Sequence, residues 1–480
     1  MAASTVAAVP GADAASTVRT PTIGSSAGAP AAAFGKWTAL GLTTQTTTPA
    51  VYEGPDHRAW VLWVTEPHAN QFTFEVAAIA PSGAVASAPS SIFGTKYWGS
   101  LTRQPTLVAG GAGPLAIFTG ALGSTGPYSH GCVVGAQEAA SKWTLQPWSL
   151  SANCTNPVGG AAAGKLDVVA AAWPGGWSGG HGVLYRVGTS PSIPATGTDG
   201  HIAITTGDAA QTAVASDTAG SGHFYVAYVQ VFSSSHDGYY VKDVTANTAS
   251  MKAPGSGTTS TNISPFAVPA VTSTNTHPGI FVVFCSNSST CTVRLWRVGS
   301  SAVRVVPGSS GANDTAVSAG PDGRLWIAWY NESKNTVSVV RTNKADTAFG
   351  PVQTYRTACF EHGLLGLSGG DFGRLTIGLE CVNLHLKLET FATQSVVPLV
   401  LSPGLRAIPN TAAHTVTFRV TDAGDAVVGA TVVVHGKSAK TNAAGTVAFT
   451  FPKGTPIGKF PVTATAPNYA TAHAVLSVVA

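Results

Sequence analysis

Charge is scarce in this chain. Asp, Glu, Lys and Arg make up 10% of the 480 residues, against about 25% in an ordinary globular protein. That excludes a coiled coil or a charge-laced helical bundle. The formal net charge is +4, and the Lys and Arg residues are scattered without a basic run. Nucleic-acid binding concentrates positive charge against phosphates, so no nucleic-acid partner is expected. No apolar stretch approaches the roughly 18 residues that signal a membrane span. HExxH, GxSxG, GxGxxG and P-loop patterns are missing, and the histidines lack ligand spacing. No cofactor and no metal is therefore expected.

Gly (54 residues), Ala, Ser and Thr stand where charge is missing, and 44% of residues are hydrophobic. This composition suits β-sheet with tight turns. At this length more than one domain is expected. The six cysteines fall into three sequence-local pairs, Cys132 with Cys154, Cys285 with Cys291, and Cys359 with Cys381. An even count without CxxC spacing favours disulfides over zinc, and so an oxidising, extracellular location. The start Met1-Ala2-Ala3-Ser4 has neither a basic nor an apolar signal region, so removal of a signal peptide is expected for a secreted protein. Residues 1–33 read as a flexible Ala/Ser/Gly-rich leader that cannot bury enough apolar surface to offset its ordering entropy.

From residue 34 a four-strand unit recurs every ~50 residues. Its clearest copy is the Asp-Gly turn and strand Asp322-Gly323-Arg324-Leu325-Trp326-Ile327-Ala328-Trp329-Tyr330. Equivalent second strands read at Ala59–Val64, Leu115–Thr119, Leu166–Trp173, Phe224–Val229, Ile280–Phe284 and Leu375–Glu380. Period-2 alternation with β-branched and aromatic residues marks them as strands. Counted this way the ring has seven blades, with six as the alternative. The last unit lacks a fourth strand, and Phe34-Gly35-Lys36-Trp37-Thr38-Ala39-Leu40 reads as a spare one. Joining it to the last unit would close the ring and remove exposed sheet edges.

Residues 313–357 resemble one repeat of the sialidase-like (BNR-repeat) β-propellers. The step Trp37-Thr38-Ala39-Leu40-Gly41 into Pro49-Ala50-Val51 resembles bacterial seven-bladed propeller lectins. The resemblance implies a propeller over residues 34–394. Two family features are absent. The third-to-fourth-strand turns carry no intact Asp-box, and no three-arginine set for a sialic acid is present. Residues 395–480 are similar to bacterial Ig-like and carboxypeptidase-regulatory-like modules, through Val428–Val434 and Thr441–Phe449. Short alternating strands there predict a β-sandwich. The expected fold is all-β: a propeller closed by an N-terminal strand, then an Ig-like sandwich.

In such a ring the second-to-third-strand loops and the inter-blade connections share one face. That face is expected to collect Glu66, His68, Trp98, Tyr128, His130, Trp173, Trp177, His181, His236, Asp237, Glu332 and Lys334. The cysteines converge there and would brace the loops. The loop Trp173-Pro174-Gly175-Gly176-Trp177-Ser178-Gly179-Gly180-His181 suits a sugar, since aromatic faces stack on sugar C–H faces while polar neighbours read hydroxyls. The candidate ligand-binding residues are thus Trp177, His181, Trp173, Tyr128, His130, His68, His236, Asp237 and Trp98. Trp60, Trp63, Trp326 and Trp329 read as packing between blades. For catalysis, Asp314 and Glu361 could pair as glycosidase carboxylates, with Arg103 nearby.

Three functions remain open on these grounds. The leading one is a secreted carbohydrate-binding, lectin-like propeller for cell-surface or polysaccharide glycans, possibly the targeting subunit of a larger assembly. The others are a glycan-cleaving glycosidase or polysaccharide lyase, and a protein-interaction subunit without sugar binding. A protein partner would dock through the Ig-like domain or the leader.

Overall fold

The computed structural model describes residues 36–43, 47–68, 71–92, 98–101, 105–110, 113–122, 133–139, 142–146, 160–163, 168–174, 181–189, 198–232, 235–257, 270–273, 278–285, 291–369 and 373–480. Among these the protein is all-β, with short 3-10 turns at Pro321–Gly323 and Glu332–Lys334 and no α-helix.

The sheet that begins at Asp314 shows the building rule. Its four antiparallel strands, Asp314–Ala319, Leu325–Asn331, Thr336–Arg341 and Gln353–Arg356, pair in chain order. Asp322 and Gly323 take left-handed backbone (φ 56° and 82°), which reverses the chain tightly enough to pair the first two strands. Every residue of Leu325–Asn331 is buried. Trp326, Ala328 and Tyr330 face one neighbour, packing with Leu365, Leu375 and Ile377. Leu325, Ile327 and Trp329 face the other, packing with Phe281, Val283 and Val293. A strand apolar on both faces is what a sheet clamped between two others requires.

The same four-strand order recurs in the sheets beginning at Gly160, Asp208 and Ala270. The first strands contact one another in sequence: Ala50–Glu53, Thr106–Ala109, Gly160–Ala163, Asp208–Ser216, Ala270–Ser273, Asp314–Ala319 and Cys359–Ser368. Cys359–Ser368 then returns to Ala50–Glu53. This radial packing is of the propeller type. It needs small residues where strands meet. A Cβ on Gly366 would lie 2.0 Å from the Pro49 carbonyl oxygen, and one on Gly160 2.7 Å from Ala213 Cα. The Gly- and Ala-rich composition is thereby explained.

The spare N-terminal strand finds its partner in the last sheet. Thr38–Leu42 pairs antiparallel with Leu388–Pro398, which follows Cys359–Ser368 and Arg374–Asn383. One departure from the expected connections is Trp98–Leu101. This segment is a short strand between Gln71–Ile79 and Pro114–Leu122 and joins two meanders into one nine-stranded sheet. Both flanking strands run past their own meander, and the extra strand pairs their free backbone groups.

Beyond Pro398 the chain enters two further sheets without a long linker. His414–Asp422 pairs with Val400–Pro403, Asp425–Ala426 and Thr446–Phe451. The second sheet runs Ala407–Pro409, Ala472–Val479, Gly458–Thr465, Thr431–Val434, Lys437–Lys440. Their facing side chains, including Val416, Phe418, Val432, Phe449, Val462 and Leu476, form one core. Val397–Pro398 pairs in parallel with Tyr469–Ala470, so the two parts share a strand contact.

Candidate functional site

Register fixes which residues share an edge. Asp314 pairs with Tyr330, Thr336 with Arg356, and Cys359 with Asn383, so these ends lie together. The opposite edge carries the turns around Asp322 and Gly373, where the C-terminal sheets dock.

Two disulfides brace the edge that holds Asp314 and Cys359. Cys285–Cys291 (Cα–Cα 5.0 Å) closes a second-to-third-strand turn, and Cys359–Cys381 (5.6 Å) ties the start of a first strand to the end of the second. Cys359 belongs to the strand Cys359–Ser368 rather than to a connection. Cys132, Cys154, Trp177, Tyr128, His130 and Arg103 lie outside the described residues. Backbone alone places three more candidates: His68 ends the strand Ala59–His68, Trp173 lies opposite Leu184, and Trp98 opposite Phe72.

The best-defined group lies where the sheets beginning at Gly160 and Asp208 adjoin. His181 opens a third strand with its side chain 71% exposed, and its Nδ1 is 3.9 Å from Asp208 Oδ2. Asp208 opens the adjacent first strand and pairs with Val231. The next residue, Phe232, is 78% exposed and takes left-handed backbone (φ 64°). That conformation is strained for a bulky side chain and holds the ring out of the core. His236 is exposed in the following turn, shares a 2.8 Å hydrogen bond with the Ser235 hydroxyl, and its backbone carbonyl accepts from Tyr240 Oη at 2.6 Å. Asp237 is buried rather than presented to solvent. Tyr240 stacks on Tyr228 with ring centroids 5.4 Å apart. Burial, then the Asp237 charge, pushes the Tyr240 hydroxyl up.

Thus His181 and His236 belong to adjoining sheets, and the same stretch holds two residues, Asp208 and Phe232, that sequence reasoning missed. Phe232 directly follows the strand Phe224–Val231, and its sequence neighbours give no sign of its exposure. Asp208 reads as a turn residue.

The two carboxyl candidates stand on adjacent first strands in different surroundings. Asp314 is only 6% exposed, and its Oδ2 accepts the Leu365 N–H at 2.7 Å across the seam to the next first strand. Burial pushes its carboxyl up to about 7 against the effect of backbone hydrogen bonds. Glu361 stands on that next strand, half-exposed and 3.8 Å from His362. A third carboxyl, Glu380, is wholly buried and accepts both the backbone N–H and the hydroxyl of Thr47. Burial pushes it up to about 8. Asp314 and Glu380 act as seam fasteners between consecutive sheets.

No protein-family model matches the chain, and no curated protein does. Solved structures do. A lectin from Burkholderia pseudomallei is similar at 13% identity over 73% of this chain and 96% of that one, with a TM-score of 0.47. A polysaccharide lyase, an ulvan lyase, is similar at 7% identity over 75% and 94%, TM-score 0.41. A Hadza microbial sialidase is similar at 11% identity over 67% and 73%, TM-score 0.37.

Proposed function

We propose that this chain is a secreted glycan-binding protein. Residues 34–394 form a seven-bladed propeller that offers its disulfide-braced edge to sugars, residues 395–480 form an Ig-like module that spaces or docks it, and residues 1–33 are a leader. The observation that carries the reading is Phe232. A strained, solvent-facing aromatic ring that follows Val231, the residue paired with Asp208, with His181 3.9 Å from Asp208 and His236 exposed in the following turn, has the make-up of a sugar platform, with an apolar face for the C–H side of a ring and polar groups for its hydroxyls.

Burial and the bond to Leu365 commit the Asp314 carboxyl to the seam, which weighs against the glycan-cleaving reading. Two disulfides support an extracellular location.

The test is a glycan array with the full chain, Phe232→Ala and Trp177→Ala. Binding by the parent chain that Phe232→Ala weakens about tenfold, as for loss of one stacking aromatic, supports the reading. Absence of binding to any glycan overturns it in favour of a protein-interaction subunit.

A further inference from the structure

Among the described residues, the three most exposed large apolar side chains are Phe232 (78%), Leu386 (75%) and Leu384 (70%). All three stand in turns between a second and a third strand. Phe232 follows Phe224–Val231, and the leucines lie between Arg374–Asn383 and Leu388–Pro398. Val231 pairs with Asp208 at the start of its first strand, as Asn383 pairs with Cys359. The two turns are therefore equivalent and fall on the same edge. Phe232 and Leu386 are also the only large apolar residues with left-handed backbone among the described residues (φ 64° and 58°). That conformation is strained for a bulky side chain, and here no burial of the side chain offsets it.

The leucine turn is tightly bonded. Asn383 is buried, its Oδ1 accepts the His385 and Lys387 N–H groups at 2.8 and 3.1 Å, and its Nδ2 donates to Glu389 Oε2 at 2.7 Å. The Asn383 N–H donates to the Lys387 carbonyl at 2.7 Å, and the Leu386 N–H to the Asn383 carbonyl at 2.9 Å. The Cys359–Cys381 disulfide anchors the base of the turn, where the paired strand is bulged twice between Cys359 and Leu364. Phe360, beside Cys359, and Leu42, paired with Glu389, are each about half-exposed. His385 and Lys387 alternate with the two leucines, and both are exposed.

We propose that the turn Leu384–Lys387 inserts its leucines into the surface of a lipid bilayer with anionic headgroups, an inference that stands apart from the glycan-binding reading. The turn is a convex tip, so a deformable apolar medium covers both leucines at once. Apolar side chains interleaved with cationic ones are the composition of an interfacial anchor. Leu384 and Leu386 would reach the acyl boundary while Lys387 stays among the headgroups. The net charge of +4 adds to the attraction. Because Asn383 already fixes the turn, insertion costs little ordering entropy.

The experiment is cosedimentation of the full chain with glycan-free phosphatidylcholine vesicles, with and without phosphatidylglycerol. The parent is expected to bind the anionic vesicles more tightly. The double variant Leu384→Ser, Leu386→Gly should weaken binding about tenfold or more, and Lys387→Gln should reduce the anionic preference. Leu386→Gly alone should not lower the melting temperature, since glycine adopts left-handed backbone freely, so lost binding is separable from lost folding. Leu384→Trp should gain fluorescence that brominated acyl chains quench. No binding to either vesicle overturns the inference. So does binding that the double variant retains, or a Leu384→Trp signal that brominated chains leave untouched. Self-association of the parent that the double variant abolishes, without vesicle binding, overturns it in favour of a second copy of this chain. Glycan binding on the array without vesicle binding removes this inference alone, and vesicle binding without glycan binding removes the glycan reading alone.

Discussion

Burial of a carboxyl with few compensating hydrogen bonds has a pH signature. In the unfolded chain Asp314 and Glu380 lose their protons near pH 4. In the folded protein they keep them to about 7 and about 8. Across that window the folded state binds more protons than the unfolded one, so the free energy of unfolding falls as pH rises from about 4 to 8 and then levels. The urea midpoint is expected to follow that course, and the double variant Asp314→Asn, Glu380→Gln to flatten it. An unchanged slope in that variant would place the titrating groups elsewhere. Asp422 is the opposite case, a buried carboxylate with charge partners. It meets Arg341, with no exposure on either side chain, and Arg324 Nε at 3.0 Å, while Tyr469 Oη donates to it at 3.2 Å. Arg341 also lies over the Trp326 and Tyr469 rings at 4.9 and 5.2 Å. Asp422→Ala leaves the buried Arg341 guanidinium without its carboxylate and should cost about 3–5 kcal/mol in urea unfolding.

Among the elements, the strand Leu325–Asn331 carries the densest packing. Trp326 and Trp329 are both about 1% exposed and face opposite neighbouring sheets. Either one changed to Ala should cost about 3–5 kcal/mol, with unfolding midpoint as the readout, because each substitution opens a cavity against a different sheet. The disulfides act on another level. Cys359–Cys381 spans a sequence separation of 22. Replacing both with Ser should cost about 3 kcal/mol through the unfolded chain. It should also loosen the bulged stretch that carries Glu361, seen as faster amide exchange at Phe360–Gly363.

For the molecule as a whole, closure is the governing event. Thr38–Leu42 covers the edge of Leu388–Pro398. Removing residues 34–43 should expose that edge and drive association, measurable by light scattering. A monodisperse monomer after the deletion would show that closure does not depend on this strand. At the opposite edge of the sheets, Arg324 Nη2 meets Asp425 at 2.9 Å and the Lys344 backbone N–H donates to the same carboxylate at 2.8 Å. These contacts join the Asp425 turn to the sheet beginning at Asp314.

What the sequence determined by itself is local. The strand Leu325–Asn331 is legible because its alternation and its Asp-Gly turn act within a few residues. The cysteine pairs at 285/291 and 359/381 are legible because their partners are near in the chain. The sandwich core of residues 400–480 follows from period-2 burial along His414–Asp422. Only the tertiary structure decided the fate of the polar groups, because their environment comes from distant chain. Burial in the seam pushes the Glu380 carboxyl up to about 8, against the lowering effect of the hydrogen bonds from Thr47, 333 residues away in sequence. Asp314 reads as a catalytic candidate, and only the fold shows that the Leu365 N–H donates to it across the seam. Phe232 is exposed because its left-handed backbone after Val231 turns it outward.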